Sequence, residues 1–124
     1  MSEIIYKEES YKIIGCCMEV HNQLGKGFLE IVYKEALEYE FKKAGIPYSR
    51  EKEYVVNYKD TILPHKFYAD FVVYDKIILE VKGISRIAPE HVAQTLNYLK
   101  VSTLKLGLLV NFGELKLASQ RIVI

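Results

Sequence analysis

Asp70-Phe-Val-Val-Tyr-Asp75-Lys-Ile-Ile-Leu-Glu80-Val-Lys82 reads as two apolar strands joined by a short turn and interrupted by three charges. Burying a carboxylate or an ammonium in a sheet costs several kcal/mol unless it is paired or holds a metal, so these charges need a reason. Side chains alternate along a strand, which puts Glu80 and Lys82 on the same side. The register decides whether Asp70 joins them. An odd turn centred on Asp75 sets Asp70 opposite Glu80, Val72 opposite Ile78 and Tyr68 opposite Lys82. The other face is then wholly apolar: Phe67, Ala69, Phe71 and Val73 against Ile77, Leu79 and Val81. A two-residue Asp75-Lys76 turn would mix charge into both faces, and it lacks the glycine that tight hairpin turns favour. The odd turn is the expectation.

Two carboxylates beside a lysine suit the hydrolysis of a phosphodiester. The acids Asp70 and Glu80 can hold a hard divalent cation such as magnesium, which prefers oxygen ligands and keeps several waters. The Lys82 ammonium can orient the attacking water and stabilise developing negative charge. The competing explanation is a surface ion pair between Glu80 and Lys82, with Asp70 a separate solvated acid.

The chain has 124 residues, half of them hydrophobic, which suits one domain spanning 1–124 with a core that needs no staples. A formal net charge of +1 gives no global argument for nucleic acid, so phosphate affinity would need a local cluster or a bound cation. Cys16 and Cys17 are adjacent in a helical pattern, without disulfide or metal-ligand spacing, and read as packed thiols in a reducing cytosol. Met1 to Glu9 shows no basic segment followed by an apolar one, and no run is long enough to cross a bilayer. A cytoplasmic location is expected, with no membrane association.

Periodicity supplies the order of elements. Tyr11 to Leu24 places Ile13, Cys17, Val20 and Leu24 on one helical stripe, with Ile14 and His21 on its shoulder, and Gly25-Lys26-Gly27 ends it. A second helix is expected from Phe28 to Ala44, burying Leu29, Val32, Tyr33, Ala36, Leu37 and Phe41 and stopping at Gly45-Ile46-Pro47. Tyr54–Tyr58, Lys66–Tyr74 and Ile77–Gly83 read as consecutive antiparallel strands. Pro89 opens a third helix with Val92, Leu96 and Leu99 on one stripe and His91, Gln94 and Tyr98 on its neighbour. Leu106–Asn111 reads as a central strand, parallel to a predecessor because a helix separates them. Leu115–Ala118 and Arg121–Ile124 are expected as short edge strands or one bent strand, with Lys116 and Arg121 on the margin.

Helix, three antiparallel strands, helix and strand, with Asp70 on the second strand and Glu80-Val81-Lys82 on the third, resembles the PD-(D/E)XK, or restriction-endonuclease-like, nuclease superfamily. The stretch from His21 through Gly27-Phe-Leu-Glu30-Ile-Val-Tyr33 resembles the signature of its GxxExxY branch. Gln94-Thr-Leu-Asn-Tyr98-Leu-Lys and Gly107-Leu-Leu-Val-Asn111-Phe-Gly113 resemble that branch's later blocks. The fold implied is α/β: an αβββαβ core with a mixed central sheet flanked by helices, plus an extra N-terminal helix and C-terminal strands. The resemblance implies a Mg2+- or Mn2+-dependent endonuclease acting on DNA ahead of RNA. Its metal shell would use Asp70, Glu80, the Val81 carbonyl and Glu30, with Lys82 beside the water, Gln94 assisting, and His21, Tyr33 and Tyr98 along the cleft. Ala69 stands where the superfamily name has proline, which leaves the carboxylate in place.

These residues also have plainer explanations. Glu30 lies in a first helical turn, where the dipole favours any carboxylate, although it borders the buried stripe. Gln94 can bond a neighbouring backbone group, Tyr98 can be core, and His21 suits packing better than catalysis. Gly25 and Gly27 fit a sharp turn with positive φ and lack the spacing of a phosphate loop. The alternative function is a non-catalytic nucleic-acid or protein interaction module that keeps the fold. Against it, none of Glu30, Asp70, Glu80 and Lys82 has been lost. A homodimer through the Tyr54–Tyr58 strand or the C-terminal edge is a further expectation, since cutting both strands of a duplex needs two sites.

Overall fold

The computed structural model describes residues 4–124; Met1, Ser2 and Glu3, the start of the stretch read for a targeting signal, lie outside it. Two helices come first, α1 (Lys7–Leu24) and α2 (Glu30–Ala44). Between them Gly25 and Gly27 adopt φ of 67° and 110°, the left-handed backbone that glycine takes without strain. Gly45, at φ 71°, ends α2, where its N–H reaches the Lys42 carbonyl and the Ile46 N–H reaches that of Phe41. Strands β1 (Tyr48–Tyr58), β2 (Thr61–Val73) and β3 (Ile77–Lys82) follow, then α3 (Pro89–Ser102), β4 (Leu106–Asn111) and β5 (Ala118–Val123).

The five strands form one sheet in the order β1-β2-β3-β4-β5, with β3 and β4 parallel and the other neighbours antiparallel. A crossover through α3 makes the parallel pair, as the helix between the two strands predicts. The sheet separates two apolar clusters. Ile13, Cys17 and Val20 of α1 and Tyr33, Leu37 and Phe41 of α2 pack on Phe71, Val73, Ile77, Leu79 and Val81. On the opposite face Tyr98 and Leu99 of α3 pack on Ala69, Val72, Ile78 and Leu109. Among the described residues no helix is long and apolar enough to cross a membrane.

The odd turn is present: Tyr74, Asp75 and Lys76 connect β2 to β3, and Val72 pairs with Ile78. The expectation of one uniform apolar face needs correction, because Phe67 and Ala69 pack toward α3, with Val72 and Ile78, instead of with Phe71 and Val73. The β2–β3 ladder stops after Phe71↔Leu79, so Tyr68 never comes opposite Lys82 and pairs with Glu53 of β1 instead. Beyond that point β2 pairs with β1 alone, as a two-stranded arm.

Other boundaries shift for local reasons. β2 reaches back to Thr61 despite Pro64, whose missing N–H is accommodated where the register jumps from Val55↔Lys66 to Asn57↔Ile62. β1 starts at Tyr48, six residues before the expected strand. α1 begins at Lys7, and α2 begins at Glu30, so Leu29 precedes the helix and is exposed instead of joining its buried stripe. Of the two forms expected for the C-terminal edge a single strand, β5, is present, but it starts only at Ala118, and Leu115 lies in the preceding turn, exposed.

Candidate active site

Where β2 leaves β3, side chains take over from the ladder. Asp70 Oδ2 accepts the Val81 N–H at 2.8 Å, and Glu80 Oε2 accepts the Asp70 N–H at 2.8 Å. Each acid thus satisfies a backbone donor of the other's strand, which fixes both carboxylates without a rotameric search. The two acids come together as expected, but the pairing of Asp70 with Glu80 lies beyond the last ladder pair, Phe71↔Leu79, and side-chain bonds to backbone take its place.

Glu80 is 2% exposed and is held well above its ordinary 4.5, at about 8. Burial is the main cause and the Asp70 charge the second; the Asp70 N–H bond and the Lys82 and Lys34 ammonium groups pull the other way. Lys82 lies on the same side of β3 as Glu80, and its Nζ donates to Gln94 Oε1 on α3 at 3.0 Å. Tyr98, one helical turn beyond Gln94, packs edge-on against Phe67 with ring centroids 6.0 Å apart. Its hydroxyl is pushed up to about 12, by burial first and then by the Glu80 and Asp70 charges.

The remaining residues take varied places. Glu30 opens α2 and its Oε2 accepts the Gly83 N–H at 3.2 Å, just past the end of β3. The Val81 side chain is buried under α1 and α2, and its N–H is committed to Asp70. Tyr33, expected along the cleft, is fully buried: it donates to the Gly25 carbonyl at 2.6 Å, accepts the Phe28 N–H at 3.2 Å and stacks on Phe112. It pins the α1–α2 loop that presents Glu30. His21, the other cleft candidate on that side, bonds the Glu114 carbonyl at 2.9 Å and tilts against Phe112, the packing role its apolar shoulder suggested.

One residue of this site was absent from the sequence reading. Lys34 Nζ lies 2.7 Å from Asp70 Oδ1 and 3.2 Å from Glu51 Oε1. Burial works to lower the Lys34 ammonium, but its hydrogen bond to Asp70, the Asp70 charge and Glu51 outweigh this and raise it. The available signal was position: Lys34 is one turn after Glu30 on the same helix face.

Oxygen donors of this kind fit a hard divalent cation, whose charge would offset both causes of the raised Glu80 carboxyl, burial first and the Asp70 charge second. Among the described residues, no three Asp, Glu, His or Cys side chains gather as a ready-made metal cluster. An ion here would take its remaining ligands from backbone oxygen and water, as magnesium commonly does.

A mixed sheet with helices on both faces, and a buried acid pair where two strands part beside a Glu-x-Lys, defines a restriction-endonuclease-like fold. Residues 7–122 match the family model described as the PD-(D/E)XK nuclease superfamily, and the chain belongs to that superfamily. A protein titled SSO0001, known from its crystal structure, is similar in fold, with a TM-score of 0.63 at 19% identity over 95% of this chain. The match covers 60% of that protein, so this chain spans about three-fifths of its length. No curated protein is significantly similar in sequence.

Proposed function

We propose that the chain is a Mg2+- or Mn2+-dependent endonuclease of the GxxExxY branch, acting on DNA in preference to RNA. The observation that carries this reading is the crossed pair in which Asp70 and Glu80 hold each other's strand backbone, with Lys82 two residues on. A divalent cation would be held by Asp70, Glu80 and the Val81 carbonyl, with Glu30 contributing at the end of β3. It would neutralise charge on the scissile phosphate and make bound water more acidic.

The chain's own residues supply the rest. Lys82, kept within reach by Gln94, orients the attacking water and stabilises negative charge growing on the phosphate. Gln94 releases one bond when Lys82 turns toward substrate and can accept from the same water. Tyr98 keeps its proton at working pH and offers a donor beside the acids. A homodimer in the cytoplasm would present two such sites to a duplex.

The test is cleavage of single-stranded, duplex and branched DNA and of RNA with manganese, comparing the unmodified chain with Asp70→Asn. Metal-dependent DNA cleavage that Asp70→Asn abolishes is the expected result. Cleavage that survives the substitution belongs to another site. No cleavage and no metal binding would favour the interaction-module alternative.

A further inference from the structure

We propose that Lys34 is a tethered counter-cation of the acid pair: it holds Asp70 in the metal-free protein and passes to Glu51 when a divalent ion takes Asp70. This rests on the metal-dependent reading above and adds a residue that sets how tightly the ion binds.

Asp70 has two oxygens with separate partners. Oδ2 is committed to the Val81 N–H, leaving Oδ1 as the oxygen open to a cation, and Lys34 Nζ sits on it at 2.7 Å. A divalent ion bonded to a carboxylate oxygen lies about 2.1 Å away. Two positive centres sharing Oδ1 would then repel strongly where little water screens them, since the Lys34 and Asp70 side chains are only 14% and 13% exposed. Lys82 does not relieve this competition, because its ammonium is turned to Gln94.

A landing place for Lys34 is already built. Glu51 Oε1 is 3.2 Å from the same ammonium, and at 47% exposure Glu51 also lets a displaced charge reach water. Glu51 faces Asp70 across the β1–β2 ladder, between the pairs Arg50↔Phe71 and Lys52↔Ala69, and has a φ of 54°. A non-glycine residue rarely takes that backbone within a strand, and strain of this kind persists only where the surroundings enforce it. Lys34 therefore keeps the bond to Glu51 that it already makes and gives up only the one to Asp70, with no movement of α2.

The experiment is calorimetric titration of manganese into the unmodified chain, Lys34→Met, Glu51→Gln and the double variant. Lys34→Met should bind about tenfold more tightly, the scale of losing one partly buried competing ion pair. Glu51→Gln should weaken binding by about fivefold when Lys34 is present and by less than about twofold in the Lys34→Met background. Simple loss of a nearby negative charge would weaken both equally, so an equal effect overturns the proposal. So does Lys34→Met binding no more tightly than the unmodified chain. Lys34→Arg, which keeps the charge, should retain the weaker affinity.

Should Lys34→Met fail to fold, nuclear magnetic resonance of the unmodified chain during a magnesium titration answers the same question. The Lys34 Nζ signal should move in step with the Asp70 carboxyl, and a static signal overturns the exchange. Heat of binding that Asp70→Asn removes but Lys34→Met leaves unchanged would sink the role of Lys34 alone. No heat from any variant would remove the metal site, and this proposal with it.

Discussion

Glu80 is the residue whose environment is most at odds with its chemistry, and that conflict has a sign. Its carboxyl is raised from 4.5 to about 8 in the folded chain, chiefly by burial and then by the Asp70 charge. The folded state therefore binds a proton that the unfolded state has lost between those values. Its contribution to stability is complete below about 4.5 and disappears as pH rises through about 8. Melting of the metal-free protein should accordingly fall across that window, and Glu80→Gln should flatten the dependence; an unchanged slope in the variant would assign it to other groups. Lys82 makes a separate prediction. It donates to Gln94 and bonds neither acid, so Lys82→Ala should leave manganese binding within about twofold while lowering turnover about a hundredfold or more, the usual scale for losing one electrostatic stabiliser. Paired calorimetry and single-turnover cleavage would check it.

At the scale of elements, the loop after β3 is fixed by β4. Asn111 Oδ1 accepts the Ile84 and Gly113 N–H groups at 3.0 Å each, and its Nδ2 donates to the Ile84 carbonyl and to Glu114. A Cβ on Gly113 would land on the Ile84 backbone, which cannot yield as a flexible side chain would. Gly113→Ala should cost about 2–3 kcal/mol by the usual scale of overpacking. Gly15→Ala, in the middle of α1 with open space around it, should stabilise by about 0.5–1 kcal/mol. Denaturant unfolding of the two variants would decide both. These elements also show how far the sequence could be read. Helix stripes around Cys17 and Leu37, the odd turn at Asp75 and the parallel β4 all follow from local periodicity, and each is present. The Asp70 and Glu80 backbone bonds, Lys34 on Asp70 and the Phe67 and Ala69 switch of face do not. They go with the parting of β2 from β3 after Phe71↔Leu79, a tertiary event that strict alternation cannot express.

Across the whole molecule the sheet is closed by apolar packing on both faces, with β4 buried at every residue. The core therefore needs no ion, and a chelator should leave the fold unchanged. Added manganese should instead raise the melting temperature by mass action on the native state, an effect absent in Asp70→Asn. The site sits at the seam where this rigid sheet gives way to the β1–β2 arm, so two acids on adjacent strands are held by backbone bonds in the metal-free state. Preorganisation of that kind is what fixes a metal's ligands before it arrives. The central claim is that this acid pair holds the ion. A crystal of the chain soaked in manganese, with anomalous data collected at its absorption edge, tests it most directly. The account predicts a single strong peak within bonding distance of the Asp70 and Glu80 carboxylates; a manganese peak bonded to neither, or no peak at saturating ion, would contradict it.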